Sequence, residues 1–186
     1  CWDLDSVDDI ENNIDVSYHK VASAMLTDKS FLEKINDTGK PVIVSIGMAT
    51  EKEVDAALDI LHNVECVMAC TSTYPTKVDE LNLRYVTTLI DKLQGGATYT
   101  TVGFSNHYNG ADAMVGAVAL GATCVEFHIT VDRTMYGSDQ PASIEEVGRV
   151  VSGIRNMEKM LGDGVKKVYP SEKPIAAKLR KVNDIL

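Results

Sequence analysis

"GATCVEFHIT", residues Gly121–Thr130, reads as a helix-ending glycine followed by a strand. Within it Glu126 and His128 are two residues apart, so they share one face of the strand while Phe127 occupies the other. Two ionisable groups on a face that is otherwise apolar need partners, a ligand or a metal, because an unpaired buried charge is costly. The stretch is therefore expected to be both a structural strand and part of a site.

Working outward, four more β-like runs precede it: Val16–Ser23, Pro41–Gly47, Glu65–Ser72 and Tyr99–Ser105. With Thr123–Thr130 they alternate with helical stretches at Lys29–Thr38, Glu51–Asn63, Asp79–Gln94 and Asn109–Leu120. Val54, Leu58 and Leu61 have helical spacing, as do Ala113, Ala117 and Leu120. Thr50 with Glu53 is expected to form a capping box, and "SIEE" predicts a second at the start of a helix over Ser143–Leu161. Gly39 and Gly121 stand where helices end. Strict alternation predicts an α/β fold with one parallel sheet and right-handed crossovers. The segment after Leu161 reads as a mostly irregular tail.

The chain has 186 residues, 45% hydrophobic and 24% charged, which fits one globular unit. Its net charge of −9 argues against a general nucleic-acid or anionic-membrane binder. No apolar run approaches the roughly 20 residues that span a bilayer. The first residues are acidic and lack a secretory pattern. Four cysteines do not make a disulfide scaffold. Cys66 and Cys70 are about 13 Å apart along a strand. Cys70 and Cys124 read as small core residues, and the set points to a reducing cytoplasm.

Polar residues gather at the C-terminal strand ends: Ser23, Ser45, Thr71, Ser72, Ser105, His107, His128 and Thr130. That rim is where ligands bind in parallel α/β folds. His107 and His128 end neighbouring runs, and strands about 4.8 Å apart let two imidazoles share one divalent ion, with Glu126 beneath. Separate hydrogen-bonded histidines are the alternative. Lys20 serves equally, on pattern alone, as an inward ammonium for an anionic ligand or as an outward side chain lying between helices. Arg133 and Asp139, in the loop after the last run, read either as a surface ion pair or as a loop over the rim.

Taken together, "YHKVASAMLT", "GKPVIVSIGMAT", "ACTSTYPTKVDELNL", "VGFSNH", "ALGATCVEFHITVDRTMYGSDQPASIE" and "LGDGVKKVYPSE" resemble the sialic acid synthase family over nearly the whole chain. The resemblance implies an α/β fold of the (β/α)8 TIM-barrel type, present incompletely as about five of eight strands. Residues 1–168 would hold strands four to eight, and 169–186 would lead to a separate C-terminal domain. It implies a synthase that condenses phosphoenolpyruvate with N-acetylmannosamine or a related amino-hexose and releases phosphate. A divalent metal, manganese by resemblance, would be held by His107 and His128. Lys20, Ser23, Ser45 and Ser105 would bind phosphoenolpyruvate, and Glu126 and Asp139 would contact the sugar or move a proton. The family's dimer makes a homodimer the expected assembly, with no nucleic-acid or membrane partner. Met25, Val78 and Asn106 depart from residues common in the family and leave the acceptor sugar open. On this reading "CWDLDS" is the tail of the third strand and the start of the helix after it, and strands one, two and most of three lie upstream of Cys1. The competing expectation is a chain without turnover that keeps part of the site and self-associates.

Overall fold

The computed structural model describes residues 1–93, 100–137 and 139–181. Gln94, Tyr99 and Ser138, which the sequence reading placed in a helix, a strand and the rim loop, lie outside them. The elements in order are α1 (Leu4–Asn13), β1 (His19–Val21), α2 (Lys29–Asp37), β2 (Val42–Ser45), α3 (Glu51–Ile60) and β3 (Val64–Cys70). There follow α4 (Arg84–Leu93), β4 (Thr101–Asn106), α5 (Asp112–Ala119), β5 (Cys124–Phe127), α6 (Val147–Leu161) and α7 (Lys173–Leu179). The five strands form one sheet, β1-β2-β3-β4-β5, with every neighbouring pair parallel. Among the described residues no helix is long and apolar enough to cross a membrane.

The sheet is strongly curved, and one ion pair measures the curvature. β1 and β5 are its two edges, four strand spacings apart, or about 19 Å if the sheet were flat. Yet Lys20 Nζ on β1 lies 3.1 Å from Glu126 Oε2 on β5. The two side chains meet only because the sheet wraps round and they cross its concave side. Five strands bent this far make a half-barrel.

Side-chain alternation sorts the strands into two faces. Val42, Val44, Val67, Val102 and Phe104 face the helices and are almost fully buried. They pack with Phe31, Leu32 and Ile35 of α2, Val54 of α3, Val86 and Leu89 of α4, and Met114 of α5 in one core. The other residues, including Ile43, Met68, Cys124 and Glu126, line the hollow. The core thus lies between sheet and helices, leaving the inner face to polar chemistry.

Local signals explain most element ends. Asp28 caps α2 by accepting from Phe31 N at 3.1 Å. Thr50 and Glu53 form the expected capping box, with Thr50 N donating to Glu53 Oε2 at 2.7 Å. Gly39 and Gly121 take positive φ after α2 and α5.

Two expectations need correction. The helix expected from Asp79 begins at Arg84, because Val78–Glu80 is a separate 3-10 turn and Asn82 adopts φ 46°. The capping box at Ser143 does not form. Ile144 is held in extended pairing with the end of β5, its N–H donating to His128 O at 2.8 Å and its carbonyl accepting from Thr130 N at 3.1 Å. The helix α6 therefore starts at Val147 with no side-chain cap. The mostly irregular tail carries one short helix, α7, which opens with Pro174 in its first turn, where a missing N–H is harmless.

Candidate active site

A cavity of about 250 Å3 opens at the C-terminal ends of the strands. Lys20, Ser23, Ser45, Ser105, His107, Glu126 and His128 all line it, together with Met48, Ser72 and Tyr74. Every strand contributes to this rim, or the segment just past it does. The two open readings of Lys20 resolve to the inward one. Its ammonium donates to Ser45 Oγ at 2.8 Å and to Val21 O at 3.1 Å, and it pairs with Glu126. Glu126 also accepts from Ser105 Oγ at 3.1 Å. Lys20, Ser45, Glu126 and Ser105 thus form one connected polar chain across the hollow. Ser23 is engaged locally: Gly47 N donates to its Oγ at 3.0 Å, and its hydroxyl lies 3.6 Å from Cys70 Sγ.

The two imidazoles are neighbours, their ring centroids 5.3 Å apart. His107 Nδ1 lies 2.9 Å from the Thr71 carbonyl oxygen. A carbonyl only accepts, so this nitrogen carries the proton and Nε2 keeps its lone pair. His128 Nδ1 lies 2.6 Å from Asp139 Oδ2. A carboxylate only accepts, so in the neutral ring Nδ1 donates and Nε2 keeps its lone pair, and the same hydrogen bond holds the Asp139 carboxyl below the usual range. A ring nitrogen tied to a carbonyl or carboxylate is the arrangement that orients a metal-ligating histidine. The donor set therefore fits a divalent cation at two positions. Among the described residues no group of three or more His, Cys, Asp or Glu side chains is placed to hold one.

Asp139 is brought to the site by this bond, but it does not line the cavity and acts on His128. Arg133 is not its partner. Its Nε donates to Ser143 O at 2.8 Å, and its side chain borders a separate depression of about 440 Å3 with Glu145 and Arg149.

The reading of Cys70 and Cys124 as core residues is overturned. Both are half-buried on the inner face, because alternation along β3 and β5 places them with the polar set. Cys70 Sγ lies 3.7 Å from His107 Nδ1 and 3.4 Å from Ser72 Oγ. Burial alone would push this thiol up, yet hydrogen bonds with His107 and Ser72 bring it down to about 7. Burial likewise disfavours a charged His107, but its contacts with Cys70 and Thr71 raise its pKa overall. The four cysteines are all free.

Sequence reasoning missed Tyr74 and Met48. Tyr74 follows β3 in a loop, where periodicity gives no direction. Met48 adopts φ 63° just after β2, which turns its exposed side chain over the cavity mouth.

The NeuB family model matches residues 1–166. An uncharacterised protein of Methanocaldococcus jannaschii is 40% identical over 179 residues, 93% of this chain and 52% of that protein. The N,N'-diacetyllegionaminic acid synthase of Campylobacter jejuni is 36% identical over 180 residues, 92% of this chain and 52% of its own. The crystal structure of the N-acetylneuraminic acid (sialic acid) synthetase of Leptospira borgpetersenii, in complex with citrate, superposes with a TM-score of 0.81 at 30% identity, covering 97% of this chain and 64% of that one. The chain spans about half the length of the curated relatives it matches. With the fold, the rim and these likenesses in agreement, the chain belongs to the NeuB family.

Proposed function

We propose that this chain supplies the catalytic portion of a barrel that condenses phosphoenolpyruvate with N-acetylmannosamine or a related amino-hexose, releasing phosphate. The observation that carries this reading is the convergence of Lys20, Ser45, Ser105, Glu126, His107 and His128 on one cavity. Lys20 and the hydroxyls of Ser23, Ser45 and Ser105 would receive the anionic enolpyruvate, since an ammonium with adjacent hydroxyls suits a carboxylate or phosphate. His107 and His128 would hold a divalent cation, manganese by family resemblance, through their Nε2 atoms. When bound, the cation polarises the acceptor's aldehyde as a Lewis acid. The new bond joins C3 of the enolpyruvate to the aldehyde carbon, water adds at C2, and phosphate leaves. Through this sequence Glu126 orients an acceptor hydroxyl or takes up a proton at Oε2, while Asp139 keeps His128 in one tautomer. Free thiols and an acidic surface fit a cytoplasmic setting, and a homodimer fits the family.

A second reading is favoured by the edges of β1 and β5, which pair with no further strand among the described residues: a chain that binds ligands without turnover and buries those edges by self-association.

Manganese and phosphoenolpyruvate titrations test the site under either reading. The parent chain should bind manganese, and His107→Ala and His128→Ala should each lose most of that affinity. Lys20→Ala should weaken phosphoenolpyruvate binding and leave manganese binding largely intact. A His128→Ala chain that held manganese as tightly as the parent would overturn the assignment.

A further inference from the structure

We propose that Tyr74 is a positioning residue for the two imidazoles: its ring wedges against both and fixes their separation and planes. The proposal rests on reading His107 and His128 as a cation-binding pair. The Tyr74 ring centroid lies 4.2 Å from that of His107, with the planes tilted by 42°. It lies 5.5 Å from that of His128, nearly edge-on at 82°. With the histidines 5.3 Å from one another, the three rings form a triangle in which each touches the other two. Tilted and edge-on contacts at these distances are favourable aromatic geometries.

The need for such a wedge follows from what each imidazole lacks. A single hydrogen bond at Nδ1 fixes one point of a ring, and the terminal torsion of a histidine is broad. His107 is tied at Nδ1 to the Thr71 carbonyl and His128 at Nδ1 to Asp139. Each ring can still pivot about that bond, which swings Nε2. A flat surface against both rings removes the freedom.

The loop that carries Tyr74 is anchored to the same site. Thr76 N donates to the His107 carbonyl at 2.9 Å, while the His107 ring reaches back to Thr71 at the other end of the loop. The Thr76 hydroxyl is buried and bonds the Thr71 and Thr73 carbonyls, each at 3.0 Å. Residues 71–76 thus grip His107 by its backbone and by its ring, with Tyr74 projecting from the middle of the grip. Its hydroxyl has no hydrogen-bond partner among the described residues, so the ring carries the role and phenylalanine should replace it.

Manganese affinity of the full chain, read by electron paramagnetic resonance, tests this. Groups that orient a metal-ligating histidine typically change affinity by about 10–100-fold when removed. Tyr74→Ala should therefore bind manganese at least about tenfold more weakly than the parent, and Tyr74→Phe within about twofold of it. If the alanine variant does not fold, Tyr74→Leu, which fills volume without a plane, takes its place with the same expected loss. Parental affinity in the alanine or leucine variant overturns the proposal, and so does a phenylalanine variant as weak as alanine, which would assign the role to the hydroxyl. If the parent bound no manganese, the cation reading would fall and the wedge would be judged in metal-free protein. Relaxation-dispersion measurements on the His107 and His128 ring resonances should show fixed rings in the parent and Tyr74→Phe, and exchange broadening in Tyr74→Ala, with the Nδ1-protonated tautomer kept in all three. Histidine spectra unchanged in Tyr74→Ala would then overturn it.

Discussion

Gly103 sits in β4 between Met68 of β3 and Cys124 of β5, directly beneath the polar chain of the site. A Cβ there would lie 2.9 Å from the Cys124 carbonyl oxygen, 2.9 Å from Cys66 Sγ and 3.0 Å from Met68 Cγ. Since one of these is backbone, the strands must shift to admit a methyl group. Gly103→Ala should destabilise the chain by about 1–3 kcal/mol, the usual cost of overpacking. Gly148 on α6 is the control, since nothing lies within 4 Å and an added methyl favours helix. Urea unfolding of the two variants should move the midpoint in opposite directions, and equal effects would refute the packing account. The same scale shows what the sequence could reveal. Period-two alternation placed Glu126 and His128 on one face, and the strand ends placed Ser45 and Ser105 at the same rim. It could equally have placed Cys70 and Cys124 there, but the hydrophobic habit of cysteine suggested the core instead. Tyr74 lies in a loop, where only tertiary structure gives its direction.

Helix ends were legible where the cap is a local bargain between side chain and backbone, as at Thr50. They were illegible where a distant strand claims the same backbone, as at Ser143 and Ile144. Between α3 and α4 the tie is electrostatic and equally non-local. Lys92 Nζ lies 2.6 Å from Glu51 Oε2 and 2.7 Å from Asp55 Oδ1, and Tyr85 donates to Glu51. The Lys92 bond first, and the Tyr85 hydroxyl second, hold the Glu51 carboxyl below the ordinary glutamate range. A carboxyl lowered on folding adds stability that is present above its unfolded pKa, about 4.3, and lost as pH falls through the folded value. Glu51→Gln should therefore lower stability at neutral pH, and the gap to the parent should close on acidification below about 4. Thermal melts of both proteins between pH 7 and pH 3 check this, and a gap that is constant with pH would contradict it.

For the whole molecule, alternation of strands and helices was enough to give the sheet order and its parallel sense. It could not give the curvature, which depends on how helices of particular size pack outside. Among the described residues the outer edges of β1 and β5 pair with no further strand, apart from the Ile129–Ile144 bridge at the end of β5. Beside β5 lies an apolar depression of about 580 Å3 between α5 and α6. Unpaired edges with apolar borders recruit other strands. Sedimentation of this chain should show association that grows with concentration, and a well-folded monomer at tens of micromolar would count against it.

The ion pair that spans the hollow also sets terms for any ligand. Lys20 is not a vacant receptor, because its ammonium already has a carboxylate partner in Glu126. A ligand with one negative charge can only exchange places with that partner, swapping one ion pair for another of similar strength. Displaced, Glu126 is left half-buried without its counterion, which is unfavourable. The exchange becomes worthwhile when the incoming anion carries a second charge, or when something else arrives to engage the freed carboxylate. Anion and acceptor are thereby linked through one side chain, so that the first to bind prepares the place of the second.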